Sequence, residues 1–156
     1  MGESGNNSSL KRLNKMTTVA QNEQAIKILR KYGIEPNIGF IMFEPDSNLE
    51  EIRINFEFLQ RNNLLQNPAI TANVLYHNQI VLRGTAAYHK LLQSERLVVN
   101  SPSAYEGTPN FSNPDVESLA VLMRSITNHV FIKMADVWSG KTKETYDILQ
   151  KATKLT

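Results

Sequence analysis

From Ile38 to Phe43 the chain runs Ile-Gly-Phe-Ile-Met-Phe, and Pro45 closes the run. No charged or strongly polar side chain interrupts it. A run of this length suits a parallel strand covered on both faces, and proline ends such a strand because it cannot donate to a ladder. A second apolar run, Ile70 to Tyr76, reads as another buried strand. Helical patterns separate these runs. Strand, helix, strand, helix is the order of an α/β barrel, whose chemistry lies on the loops after the strands.

The helices announce their own ends. Thr18 and Gln21 fit a capping box, with Ala25, Ile26, Leu29 and Tyr32 at helical spacing behind it, so a helix is expected from about 19 to 32. Gly33 suits its C-terminal turn. Ser47 to Glu50 reads as a second capping box, opening a helix from about 48 to 62 on Leu49, Ile52, Phe56 and Leu59. Thr85 caps a short helix from about 86 to 94. Residues 100–113, rich in Ser, Pro, Gly and Asn, read as a linker. Asn113-Pro114 then starts a long helix on one apolar stripe: Val116, Leu119, Ala120, Met123, Ile126, Val130, Met134 and Val137. Ser139-Gly140 breaks it, and a last helix is expected at about 142 to 154.

Composition removes several classes of function. The chain has 156 residues, one domain's worth, and a net charge of +2, which gives no strong field for nucleic acid or an anionic membrane. No run of about 18 apolar residues is present to span a bilayer. The first fourteen residues lack the apolar core of a signal peptide, so the expected compartment is the cytoplasm. There is no cysteine, which excludes disulfides, thiolate metal sites and thiol nucleophiles; His77, His89 and His129 lack metal spacing.

Glu3 and Lys15 flank a short polar segment, Gly2-Glu3-Ser4-Gly5 through Leu10, Leu13 and Asn14. A carboxylate and an amine facing one pocket suit a zwitterionic ligand: the amine holds a carboxylate, and the carboxylate takes an ammonium or a ribose hydroxyl. From charge placement alone, a solvated loop with an exposed lysine describes them as well. Glu44 and Asp46, after the first apolar run, read either as acid/base groups on a catalytic rim or as carboxylates serving the next helix N-terminus. His77 and Arg83 are rim or surface residues. Phe131, Met134 and Trp138 read as core or interface.

The order of these pieces resembles the second half of a radical S-adenosylmethionine enzyme. Gly2-Glu3-Ser4-Gly5, Leu10 to Lys15, and Leu29 to Ile34 are similar to the fourth strand end and fourth helix of that superfamily. The likeness is greatest to members that often carry an upstream cobalamin-binding domain. Gly39-x-Ile41-x-Phe43-x-x-Asp46 resembles the fifth-strand motif, with Phe43 where glycine is usual and Asp46 where glutamate is usual. Gly84-Thr85 with Tyr88 and Leu91 resembles the turn after the sixth strand. The resemblance spans roughly residues 2 to 97.

It implies an α/β fragment of a (β/α)6 partial barrel. Residues 1–99 would be the C-terminal half of the barrel, 100–113 a linker and 114–156 a helical extension. It implies that Glu3 and Lys15 hold the methionyl end of S-adenosylmethionine and that Gly39, Phe40 and Ile41 lie along the adenine. Phe43 would crowd or re-line that pocket. A [4Fe–4S] cluster would start 5′-deoxyadenosyl-radical chemistry on a small-molecule substrate, with cobalamin dependence open. The cluster ligands and the N-terminal half of the barrel would come from the same or another chain. The alternatives are a non-catalytic partner of a split enzyme and a small α/β binding protein.

Overall fold

The computed structural model describes residues 3–138. Among the described residues six helices form: α1 (Asn7–Arg12), α2 (Val19–Lys31), α3 (Leu49–Arg61), α4 (Pro68–Tyr76), α5 (Ala86–Gln93) and α6 (Pro114–Trp138). Three short strands accompany them: β1 (Val81–Leu82), β2 (Leu97–Val98) and β3 (Glu106–Pro109). The fold is α/β. The helix expected at 142 to 154 lies outside the described residues.

The expected helix starts hold where a side chain satisfies orphan N–H groups. Thr18 and Gln21 form the reciprocal capping box of α2. Asn113 Oδ1 accepts from Asp115 N at 2.9 Å and opens α6. The box of α3 sits one residue later than read from sequence: Asn48 is the cap and Glu51, not Glu50, answers it. Gly33, at φ +72°, ends α2, and Arg30 reaches from that end to the carbonyl oxygens of Asn62 (2.6 Å) and Asn63 (3.1 Å), closing the C-terminus of α3.

One expected strand is a helix. Ile70 to Tyr76 lies in α4, because Asn67-Pro68 is a cap followed by a first-turn proline: Asn67 Oδ1 accepts from Ile70 N at 3.3 Å and its carbonyl from Thr71 N at 2.8 Å. The run is apolar on several sides because α4 lies between the main core and α6, where Tyr76 meets Phe131 edge-on at 6.0 Å. The extended pairing expected there is taken by the residues that follow. Phe43 and Asn78 form an isolated parallel bridge, Met42 N and Phe43 N donate to His77 O, and Gln79 N donates to Phe43 O. Ile41 N donates to Glu3 O at 2.8 Å. The regular buried strand expected over Ile38 to Phe43 does not form: Phe43 alone pairs as a bridge, and Phe40 N turns back to donate to Ile38 O at 3.1 Å.

The main core gathers Phe40, Met42 and Phe43 of that run with Ile52, Phe58 and Leu59 of α3, Val74 of α4, and Val116 and Ala120 of α6. Phe40 and Phe58 stack at 5.9 Å. The buried face of α6 centres on Val116, Ala120, Thr127 and Met134, while Ile126, expected within it, is half exposed. A separate small core of Val81, Tyr88 and Leu91 lies between α5 and an antiparallel sheet of order β1-β3-β2. The middle strand, β3, comes from the 100–113 segment. It pairs Val81 with Gly107 and Leu97 with Pro109. A Cβ at Gly107 would stand 2.6 Å from Leu97 Cγ, so any larger residue there would push the Leu97 side chain aside.

Candidate cofactor site at the strand ends

Residues 39–42 alternate in exposure: Gly39 exposed, Phe40 buried, Ile41 half-buried, Met42 buried. The alternation is that of an extended chain with one face on a core. The ring of Phe40 is committed to Phe58, so at this position only the backbone is free to line a ligand. Gly39 has open space where a Cβ would be. Phe43 is 1% exposed among core residues, so its phenyl group does not re-line this face.

Glu3 joins this segment to Lys15. Its carbonyl accepts from Ile41 N, and its carboxylate meets Lys15 Nζ at 2.8 Å. Lys15 follows α1, whose C-terminal turn is closed by Lys15 N donating to Leu10 O with Asn14 at φ 54°. The two side chains are part-exposed, 40% for Lys15 and 25% for Glu3, so the pair is accessible and contributes little to stability by itself. The five residues singled out in the sequence thus fall together. Glu3 is the junction.

Two clusters that the sequence did not disclose fix this arrangement. Ser4 Oγ and Gly5 N both donate to Asn55 Oδ1, at 2.9 and 2.8 Å, while Asn55 Nδ2 donates to Met42 O at 3.4 Å. Asn55 of α3 therefore ties the Glu3 segment to the 39–43 segment. Gly5 lies so close to Phe58 that a Cβ would be 2.2 Å from Phe58 Cβ. In the second cluster Arg12 Nε donates to Glu44 at 2.8 Å and its Nη1 and Nη2 to Glu51 at 2.9 Å each. Glu44 and Glu51 are 6% and 8% exposed. The hydrogen bond to Glu44 raises the guanidinium pKa; partial burial opposes this, the Glu51 bond adds to it, and the result lies above the ordinary arginine range.

Glu44 is thus neither a helix cap nor a free acid/base group, and neither is Asp46. Asp46 accepts from Lys90 Nζ at 2.9 Å and Arg96 Nη1 at 2.6 Å. The cap of α3 is Asn48, and each of these carboxylates is paired with a cation instead. Arg83 donates to Pro102 O at 2.6 Å, and the imidazole of His77 lies edge-on to Tyr76 at 6.1 Å. The pairing of Glu51 has a trace in the sequence, since a glutamate three residues after an asparagine marks a box. Arg12 with Glu44, thirty-two residues apart, has none.

Two cavities lie elsewhere. One of about 290 Å³ is lined by Met42, Phe43, Ile52, Phe56, Leu119 and Met123, with Arg53 also in its wall, and one of about 250 Å³ lies between α2 and residues 34–38, with Asn22 and Glu35 in its wall. Among the described residues no helix is long and apolar enough to cross a membrane.

No family model matches the chain. Its sequence is 34% identical over 97 residues to 4′-phospho-dehydrooxetanocin synthase of Priestia megaterium, a match covering 62% of this chain and 12% of that protein. Its fold matches a cobalamin-dependent S-adenosylmethionine radical enzyme, OxsB, solved with aqua-cobalamin and S-adenosylmethionine bound, at TM-score 0.74 and 20% identity over 97% of this chain and 27% of that one. The form with aqua-cobalamin alone gives TM-score 0.75 at 21% identity, over 97% and 28% of the two chains. The chain spans about an eighth of the length of the curated relative. The resemblance read from the sequence holds as a likeness: 97 residues of this chain are similar in sequence to the synthase, and its fold is similar to part of OxsB.

Proposed function

We propose that this chain forms one wall of an S-adenosylmethionine site in a radical enzyme. Residues 1–99 would act as the C-terminal half of a partial barrel, with 100–113 connecting to a helical extension over 114–156. Lys15 would hold the methionyl carboxylate and Glu3 the ammonium or a ribose hydroxyl. The backbone of Gly39, Phe40 and Ile41 would run along the adenine. The observation that carries this reading is the junction at Glu3, whose carbonyl bonds Ile41 and whose carboxylate bonds Lys15. A zwitterionic ligand brings its own opposite charges. It can exchange partners with the Glu3–Lys15 pair without leaving either unpaired.

A [4Fe–4S] cluster does not fit this chain. Such clusters are held by cysteine thiolates, and the sequence has none. Any cluster, and the radical chemistry it supplies, belongs to the remainder of the enzyme, in the same polypeptide or a partner. The substrate is a small molecule meeting the strand-end loops. A split enzyme, with this chain as the non-catalytic half, is the second reading.

The test is S-adenosylmethionine binding by the enzyme that carries this segment together with its cluster half. Lys15→Ala should weaken binding roughly ten- to a hundred-fold, the worth of one hydrogen bond to a charged group, with the cluster spectrum unchanged. Lys15→Arg should retain part of the affinity. Lys31→Ala, at the exposed end of α2, should change little. Equal losses at Lys15 and Lys31 would mean general destabilisation, and no loss at Lys15 would remove the site.

A further inference from the structure

The cavity of about 250 Å³ has Ile26 and Leu29 of α2 on one side and Ile34, Pro36 and Ile38 on the other. Asn22, Ile26 and Pro36 in its wall are buried, while Ile34, Glu35 and Asn37 are exposed and form its mouth. Asn22 is 1% exposed, and its Nδ2 meets no acceptor. A buried amide donor left in this state is destabilising until an acceptor reaches it. An apolar cavity of about 150 Å³ accepts a benzene ring, so this one has room for a branched aliphatic side chain.

The backbone beside the cavity is open as well. Along an extended chain, alternate N–H groups point to the same edge. Ile41 N is on the edge taken by Glu3 O, and by this alternation Asn37 and Gly39 share that edge. Neither Asn37 N nor Gly39 N donates to an acceptor among the described residues, whereas Met42 N, on the opposite edge, is taken by His77 O. Gly39 is exposed, and no heavy atom lies within 4 Å of where its Cβ would stand. Strand addition uses these features together: main-chain groups supply the hydrogen bonds, and a pocket reads alternate side chains. An anion is disfavoured, because Glu35 stands at the mouth and its partner Arg30 is already bonded to Asn62 O and Asn63 O.

We propose that residues 36–39 are a docking edge for an extended segment of a partner polypeptide, continuing the pairing that Glu3 O begins at Ile41. The segment places a β-branched aliphatic side chain in the cavity and presents an oxygen acceptor to Asn22 Nδ2. The docking edge stands whether or not the neighbouring face takes S-adenosylmethionine.

Nuclear magnetic resonance on the isotope-labelled full chain, titrated with the peptide acetyl-Lys-Val-Thr-Val-Thr-Val-Lys-amide, tests it. Binding should shift the side-chain amide protons of Asn22 and slow exchange at Asn37 N and Gly39 N by about tenfold or more. Ile38 N, on the other edge, and Ile52 N in α3 should change by less than about twofold. The same peptide with N-methylated valines keeps the side chains but loses the ladder, and should bind about tenfold more weakly or worse. Ile34→Trp, at a mouth position 54% exposed, should cost about tenfold or more in affinity and leave the rest of the spectrum in place. Equal affinity for the N-methylated peptide would overturn the proposal, since it would mean apolar filling without strand addition. So would a peptide that does not bind, or one that binds and leaves Asn22 unmoved. Protection of Asn37 N and Gly39 N that grows with the concentration of the chain alone would also overturn it, because the occupant would then be a second copy.

Discussion

The carboxamide oxygen of Asn55 accepts the hydroxyl of Ser4 at 2.9 Å, fifty-one residues away, in a site where both residues are essentially without solvent contact. The same oxygen takes Gly5 N, so one side chain satisfies two donors that water cannot reach. Asn55→Ala would leave both unpaired. An unsatisfied buried polar group costs on the order of 1–3 kcal/mol. The variant should lose about 2–4 kcal/mol in urea unfolding.

Gly5 meets the same wall from the other side. Gly5→Ala puts a methyl group 2.2 Å from Phe58 Cβ, and the Phe58 ring cannot retreat because it stacks on Phe40. Overpacking of this kind costs about 1–3 kcal/mol. Gly5→Ala should lower the thermal midpoint, and Phe58→Leu, which keeps the clashing Cβ and Cγ, should not restore it in the double variant.

Arg12 serves two carboxylates that are nearly out of water. Arg12→Leu leaves Glu44 and Glu51 buried and facing each other without a cation, a loss on the order of 3–5 kcal/mol. The deficit should shrink as the pH falls from neutral toward 5. Uncompensated burial raises carboxyl pKa values in the fold, so protonation relieves the folded state more than the unfolded one. Denaturant midpoints of wild type and variant across that range measure this.

Asp46 has the opposite sign. Burial would raise its pKa, but the hydrogen bonds and charges of Lys90 and Arg96 outweigh burial and hold it below the usual carboxylate value. A carboxyl depressed in the fold stabilises above its unfolded pKa of about 3.9, and that contribution fades as pH drops through the folded value. Asp46→Asn should cost about 1 kcal/mol at neutral pH. The difference from wild type should shrink as the pH falls below the unfolded value and vanish once the native carboxyl is protonated too.

Local chemistry was legible in the sequence and long-range pairing was not. The Thr18 box, the Gly33 terminus and the Asn113-Pro114 start each rest on residues within one turn, and each holds. Asn67-Pro68 carries the same signature as Asn113-Pro114, yet the apolar Ile70 to Tyr76 run hides it. A helix wedged between a core and another helix is apolar on several sides, and it then resembles a buried strand. The Glu3–Lys15 pairing was legible only through resemblance, since spacing alone fits a solvated loop equally well. Arg12–Glu44, Asp46–Arg96 and Ser4–Asn55 join residues whose types are ordinary and whose separations are long. Only the assembled fold gives them partners.

Gly39 stands on the exposed side of its segment with no heavy atom within 4 Å of where a side chain would begin. The chain also contains no native thiol. Gly39→Cys would therefore give a single attachment point for a fluorophore or spin label, on the surface where adenine is proposed to lie, with no competing sulfur to block first. Position 39 is thus a spectroscopic vantage point from which occupancy of that face can be watched directly, whatever chemistry the complete enzyme performs.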